Sequence, residues 1–440
     1  MTASRREIDR YVADVSRQLM EYVADGGRLA VVKAPPGSGK THLLLNAVKQ
    51  ALGKKQRVAV ATQTRSQADD ICRRLSKELG IRAIRFVAAS ATLSQPAGWS
   101  VVADKKQIPP GPCVVVGTSA KWGMLSNVPE FDVLFVEEAW QLAWADFMLL
   151  GGVARRFVLI GDPGQIPPVV TIDTCRWETA PRAPHRAAPE LILEERKRWR
   201  DLLLLDLPAT RRLPFDTVDY IKSFYDFSFV SRAQDGDRAV KAGGRSRDAI
   251  DAAIDRLETG SVVGITVRTP PEGPPLENDP EIADLAVKIA ERLIQRDTQV
   301  LIDGDRGVLK PTEVGLCATH RIMNAAMDLR LESKYHGRIE VDTPERWQGL
   351  QRQLMVMVHP LSGVTNPSDF DLETGRLCVM ASRHQAGLIV VTRDHVGATL
   401  DSHLPVAEQA VGRPDIAGRG HFQNGEFWGR LVQQNRIVEM

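Results

Sequence analysis

No run of apolar residues in this sequence approaches the ~20 needed to cross a bilayer as a helix; Leu202 to Leu207, Leu-Leu-Leu-Leu-Asp-Leu, is short enough for a core strand or helix edge. Nor does the amino-terminal stretch, where charge alternates with apolar residues, have the hydrophobic centre of a secretory signal. Cysteine is sparse. The five residues Cys72, Cys113, Cys175, Cys317 and Cys378 are scattered, odd in number and without metal-ligand spacing. That excludes a disulfide framework or zinc module and leads us to expect a reduced, cytoplasmic setting with no membrane partner. An excess of charge is also missing: 57 basic residues face 55 acidic ones, a net +2. Such a balance neither requires nor forbids nucleic acid, since one groove can be basic on a neutral molecule. Neither a solenoid period nor a coiled-coil heptad is present.

What remains is an ordinary globular composition over 440 residues, 43% apolar and 25% charged, enough for two cores. Helical spacing of Ile8, Tyr11, Val12, Val15, Leu19 and Tyr22 predicts a first amphipathic helix over 5–25. Short Val-, Ile- and Leu-rich strands follow near 28–33, 57–64, 112–119, 131–139 and 155–163, separated by helical segments. A second series lies near 261–269, 313–321, 338–344, 353–361 and 386–393, with a helix over 280–296. This alternation predicts α/β units with parallel sheets covered on both faces. We place a first domain at 1–205 and a second at 206–400, with an insertion near 215–260 that is helical around "VDYIKSFYDF". Residues 401–440 form a carboxy-terminal extension or small subdomain.

Chemistry concentrates at "APPGSGKT", Ala34–Thr41. It nearly matches the phosphate-binding P-loop, with Ala34 in place of the first glycine. A predicted strand precedes it and a predicted helix follows. Gly37 and Gly39 permit tight turns, so the amides around Ser38 can face phosphate oxygens. Lys40 would reach the β and γ phosphates, and Thr41 would offer its hydroxyl to Mg²⁺. Downstream, "VLFVEEAWQL" places Glu137 and Glu138 at the end of a buried strand. Beside a triphosphate the two can divide the work: Glu137 to the metal, Glu138 to the attacking water. In "LIGDPGQIPPV", a turn at Gly161–Gly164 would project Gln165 towards the same phosphate.

In order along the chain, these elements resemble superfamily 1 helicases, particularly the group around the nonsense-mediated-decay helicase and its DNA-processing relatives. The resemblance covers about residues 20–395 and implies a P-loop NTPase of two tandem RecA-like domains. "EEAWQ" (Glu137–Gln141) stands where the family has Asp-Glu-Ala, and Gly161–Pro168 resembles its Gly-Asp-Pro-x-Gln-Leu-Pro-Pro segment. "TRRLP" (Thr210–Pro214) is similar to an arginine-bearing segment and implies a γ-phosphate contact for Arg212, with Arg211 the alternative. "VDTPERWQG" (Val341–Gly349) resembles the Gln-Gly motif, implying that Gln348 and Gly349 couple nucleotide and nucleic-acid contacts. "RLCVMASRHQ" (Arg376–Gln385) is similar to the last helical motif and makes Arg383 the second arginine finger. Two such arginines make physical sense, because a guanidinium stays charged while meeting growing phosphate charge. Gln18 sits where the family places an adenine-reading glutamine.

Loops at strand ends supply the nucleic-acid candidates. "TQTRSQADD" offers Thr64 and Arg65, "GTSAKWG" offers Thr118, Lys121 and Trp122, and Arg346 with Trp347 flanks Gln348. Two residues depart from the family. Glu137 replaces Asp, and Gln351 replaces the Glu that commonly follows Gln-Gly. Only His42–Gln56 separates Thr41 from the next strand, so the first domain has little or no accessory barrel, and no duplex-splitting wedge is evident. The implied activity is ATP hydrolysis coupled to helicase action or single-strand translocation, on DNA rather than RNA, with ATP and Mg²⁺ as cofactors. The alternative is a helicase-like ATPase switch that recruits or gates a nuclease or another partner in DNA repair or defence.

Overall fold

The computed structural model describes residues 4–91, 96, 98–125, 130–177, 179–273, 277–403 and 416–440. The chain divides into two compact units. The first runs to Pro163 and resumes over Pro167–Ala209; the second takes Gly164–Ile166 and the chain from Thr210 onward.

Unit 1 is built on eight strands: β1 (Leu29–Lys33), β2 (Val58–Thr62), β3 (Ile84–Phe86), β4 (Ser100–Val102), β5 (Val114–Thr118), β6 (Val133–Glu137), β7 (Phe157–Gly161) and β8 (Leu202–Asp206). They form one sheet in the order β4-β3-β5-β2-β6-β7-β1-β8, parallel at every pairing. A parallel sheet must be covered on both faces, and side chains alternate between them. Accordingly Ala30 and Val32 pack with helices α1 (Arg5–Ala24), α2 (Lys40–Gly53) and α3 (Arg65–Leu79) through Leu19, Leu44 and Ile71. Leu29 and Val31 face the opposite core, which holds Trp122, Phe147 and Leu191 from α4 (Ser119–Gly123), α5 (Trp144–Leu149) and α6 (Ala188–Glu194). Local chemistry sets the helix ends. Ser4 with Glu7 and Thr64 with Gln67 make reciprocal caps, and left-handed Gly80 closes α3.

The two-residue strand β9 (Ala209–Thr210) leads into unit 2 and pairs with β10 (Val230–Ser231). Next come β11 (Arg238–Lys241), β12 (Val262–Val267), β13 (Gln299–Ile302), β14 (Asp305–Val308), β15 (Val314–Cys317), β16 (Glu340–Asp342), β17 (Arg352–Val358), β18 (His384–Arg393) and β19 (Ile437–Glu439). The main sheet, β16-β15-β17-β18-β12-β19, is again parallel throughout, while β11-β13-β14 is a small antiparallel sheet. Helices α7 (Val218–Ile221), α8 (Ala249–Arg256), α9 (Pro280–Gln295), α10 (Arg321–Asp328), α11 (Pro344–Trp347), α12 (Thr374–Ala381), α13 (Val396–Ser402) and α14 (Ile416–Gln433) complete the unit. One face packs Ile254, Ile282 and Met323, and the other packs Ile221, Leu377 and Phe427.

The stretch expected as an insertion becomes working parts of this unit: Val218, Tyr220, Ile221 and Phe224 lie in its core. Residues 404–415 fall outside the described residues, whereas 416–440 extend unit 2 through α14 and through β19, whose Ile437 pairs with Gly264. Two parallel sheets in tandem, each flanked by helices and the first carrying a P-loop, constitute the tandem RecA-like P-loop arrangement. Among the described residues no helix is long and apolar enough to cross a membrane.

Candidate functional site

The loop between β1 and α2 has the backbone its sequence demands. Gly37 (φ 69°) and Gly39 (φ 87°) are left-handed, a region costly for residues with a Cβ. A Cβ built on Gly39 would meet nothing within 4 Å, so the glycine borders open space at the start of α2. Among the described residues the buried Ser38 hydroxyl has no hydrogen-bond partner, an orphan that a phosphate oxygen would satisfy. Free amides and the helix dipole at such an N-terminus favour an anion. The residues therefore fit a polyphosphate.

Strand order brings the acids to this loop. β6 lies one strand away from β1, with β7 between, and the register pairs Lys33 with Gly161 and Glu137 with Ile160. Gly161 allows that closeness: a Cβ there would sit 2.8 Å from the Ala139 amide nitrogen. Thr41 Oγ1 donates to Glu137 Oε1 at 2.7 Å. Lys40 Nζ lies 3.2 Å from Glu138 Oε2 and 3.9 Å from Asp162 Oδ2. Asp162, named in the sequence only as part of a turn, thus joins the lysine's surroundings; its position directly after a buried strand was the available signal.

Burial pushes the Glu137 carboxyl up to about 7, Glu138 adding repulsion and the Thr41 hydroxyl opposing both. A cation held between Thr41 and Glu137 would favour the carboxylate and release a proton. Glu138 is one of five non-glycine residues with positive φ among those described, at φ 49° and ψ 49°. Such strain costs of order 1–3 kcal/mol and collects at working sites. Here it turns two consecutive carboxylates in different directions, one towards Thr41 and one towards Lys40.

Unit 2 holds the other predicted nucleotide-site groups except Gln18, which lies on α1 of unit 1. Gln165 and Ile166 pack there: Ile166 joins the core, and a Cβ on Gly375 would come within 2.6 Å of the Gln165 carbonyl carbon. Arg212 Nε donates to Gln351 Oε1 (2.8 Å) and its Nη1 to the Ser382 carbonyl (3.2 Å). The amide that departs from the family pattern thus helps hold the arginine without bringing a negative charge. Arg383 is 1% exposed and donates from Nε to the Val379 carbonyl at 3.0 Å and from Nη2 to Ser382 Oγ at 3.2 Å. The Gln348 side-chain nitrogen is buried without an acceptor among the described residues, and Gly349 next to it is left-handed (φ 80°). Gln18 donates to Asp14, 2.9 Å away on its own helix.

Among the nucleic-acid candidates, Thr64, Arg65, Thr118 and Lys121 lie at the carboxy ends of the neighbouring strands β2 and β5, where Thr62 pairs with Thr118. Both threonine hydroxyls already cap helices, accepting from the Gln67 and Lys121 amides. Lys121 Nζ sits 4.2 Å from the centre of the Phe86 ring, and partial burial lowers its pKa. The expectation that Trp122 meets a base is corrected. The residue is fully buried between Phe86 and Phe131, and its indole N–H donates to the Val60 carbonyl. Trp347 is equally buried, donating to the Leu316 carbonyl.

Arg346, by contrast, is exposed on a groove of about 780 Å³ at the carboxy ends of β15 and β16, shared with Thr319, His320 and Phe370 and with the carboxylates Glu277, Asp342 and Glu345; its Nε lies 3.8 Å from Asp342 Oδ2. His320 and Phe370 stack there at 5.4 Å, and Arg376 lies 4.0 Å from the centre of the Phe370 ring. Sequence reasoning missed this ring pair because its members are 50 positions apart, in loops without a period.

A family model described as an AAA domain matches residues 14–184, less than half of the chain. No curated protein matches. Among solved structures, the PRRSV helicase is similar over 86% of this chain and 55% of its own, with 17% identity and a TM-score of 0.42. Arterivirus nonstructural protein 10, a helicase, matches over 90% of this chain and 64% of its own at 14% identity and a TM-score of 0.42. The DUF1998 helicase MrfA, bound to DNA and AMPPNP, matches over 87% and 48% at 12% identity and a TM-score of 0.38. The chain thus spans less than two thirds of each of these proteins.

Proposed function

We propose that this chain is a nucleic-acid-stimulated ATPase of the superfamily 1 helicase type, splitting ATP to ADP and phosphate while moving along single-stranded DNA. One observation carries the reading: Lys40, Thr41, Glu137 and Glu138 converge on an open glycine loop at a helix start, with the two acids facing different partners.

Gly37–Thr41 would bind the phosphates of ATP, and Thr41 with Glu137 would hold Mg²⁺, which supplies neutralising charge at the phosphate oxygens. Lys40 exchanges its carboxylate neighbours for phosphate. That releases Glu138 to orient water and accept its proton at a carboxylate oxygen. Arg212 and Arg383 are the cations proposed to meet charge growing on the terminal phosphate, Gln165 the group that reports its presence, and Gln348 and Gly349 the link to nucleic acid. Thr64, Arg65, Thr118 and Lys121 would contact the strand's backbone, and Arg346 beside the His320–Phe370 stack would contact phosphate and base. The choice of DNA over RNA, a repair or defence role, and a nuclease partner follow the resemblance rather than the groove chemistry.

The test is ATP turnover by the purified chain, alone and with single-stranded DNA, single-stranded RNA or duplex. Stimulation by single-stranded DNA above the other two is expected. Turnover indifferent to all three polymers would overturn the motor and leave a partner-gated switch.

A further inference from the structure

The sheet edge opposite the phosphate loop also carries a cavity. Leu29, Phe157 and Leu202 open β1, β7 and β8 side by side: in the sheet register Leu29 faces Phe157 on one side and Leu202 on the other. They line a cleft of about 500 Å³ together with Phe147, Met148, Gly151 and Trp199. The strands run about 15 Å from this edge to the edge bearing the P-loop, so the two sites are separate.

An arginine guards the approach to each strand. Arg28 precedes β1, Arg155 precedes β7, and Arg198 and Arg200 precede β8; all four are exposed and line the cleft. Arg155 is paired with Glu130 and Arg198 with Glu195. Among the described residues, Arg28 and Arg200 make no ion pair and Asp201 is the only carboxylate in the lining. On the same wall the Trp199 indole N–H is buried with no acceptor among the described residues. An apolar floor, a rim of guanidinium donors and an unsatisfied indole donor describe a receptor for an apolar group flanked by negative charge.

We infer that this cleft docks a partner protein through an acidic segment bearing one large apolar side chain. The volume suits one such side chain with its flanking backbone, inserted as an anchor while carboxylates meet the arginines. A stacked nucleobase fits less well. Phe147 and Phe157 meet edge to face (5.6 Å, 70°) and Phe147 is buried, so the floor is a socket and not a flat platform.

Binding of a fluorescein-labelled synthetic peptide, Asp and Glu around one central Phe, tests the inference by fluorescence anisotropy against the full chain. Three probes serve as controls: the same peptide with Phe replaced by Ser, the same with its acids replaced by amides, and an oligo-dT strand. Two variants address the cleft: Arg28→Glu with Arg200→Glu, which reverses the unpaired charge, and Gly151→Trp, which plugs the cavity at a position where an added Cβ meets nothing within 4 Å. The inference expects micromolar binding of the acidic Phe peptide alone, weakened by rising salt and at least tenfold weaker in both variants, whose melting temperatures match the parent. Three results would overturn it: no binding by the parent, binding insensitive to both variants, or displacement of the peptide by oligo-dT. Nucleotide binding at the P-loop is read separately and should not change.

Discussion

Replacing Thr41 by Val keeps shape and removes one hydroxyl, so it isolates the 2.7 Å bond to Glu137. Glu137 is buried, and its pKa is raised from 4.5 to about 7. A raised carboxyl pKa favours the fold fully below 4.5, and the advantage disappears as pH climbs through about 7. The difference of about 2.5 pKa units corresponds to roughly 3 kcal/mol that the unliganded protein loses across that window. Thr41 opposes this loss, because a donor stabilises the charged carboxylate more than the neutral acid. A hydrogen bond to a charged group contributes about 1.5–3 kcal/mol and one to a neutral group about 0.5–1.5. Thr41→Val should therefore destabilise unit 1 by roughly 1 kcal/mol more at pH 8 than at pH 5.5. Urea unfolding of parent and variant at both pH values, without nucleotide or metal, measures the difference directly. An equal loss at both, or a larger loss at pH 5.5, would refute the coupling between loop and strand and with it the burial of Glu137 as a latent anion.

Gly39→Ala places a Cβ on a left-handed residue, costing about 1–2 kcal/mol of stability, while ATP affinity by calorimetry should fall more than tenfold because the Cβ occupies the open side of the loop. His359 and His384 are fully buried, and burial lowers each to about 3 from 6.5. Lowered pKa values mean stability held above pH 6.5 and lost as pH falls towards 3, at up to about 1.4 kcal/mol per pH unit for each neutral histidine. Denaturant midpoints between pH 7 and 4.5 should show this slope, and His384→Gln should flatten it. Trp122→Ala should cost about 3–5 kcal/mol through its cavity, visible as a lowered Tm. Arg346→Glu should instead leave Tm unchanged and weaken single-strand binding in filter or anisotropy assays.

The central strands were legible because parallel strands buried on both faces are continuous apolar runs, such as Leu29–Lys33 and Val58–Thr62. The P-loop was legible for a different reason: its glycines, lysine and threonine act within a single turn, so local order is enough. Loop aromatics were not. Trp122 and Trp347 read equally well as stacking groups or core, and only tertiary packing puts them inside. Helix α14 escaped notice because four glycines interrupt its favourable residues and obscure its period. One of them, Gly420, is required by packing, since a Cβ there would fall 1.8 Å from the Leu372 carbonyl oxygen. The antiparallel β14, Asp305–Val308, is exposed throughout and carries no hydrophobic signal. The packing of Gln165 with unit 2 depends on Gly375, about two hundred residues away, a distance no local motif spans.

Glu138 bears the account most directly, being strained, 3.2 Å from Lys40 Nζ and the one acid proposed to act on water. ATP turnover and ATP affinity of Glu138→Gln, measured with single-stranded DNA present, decide the matter. Affinity equal to or tighter than the parent's, with turnover reduced at least a hundredfold, is the predicted result. Turnover within a few fold of the parent at unchanged affinity would remove Glu138 as the proton acceptor and contradict the mechanism.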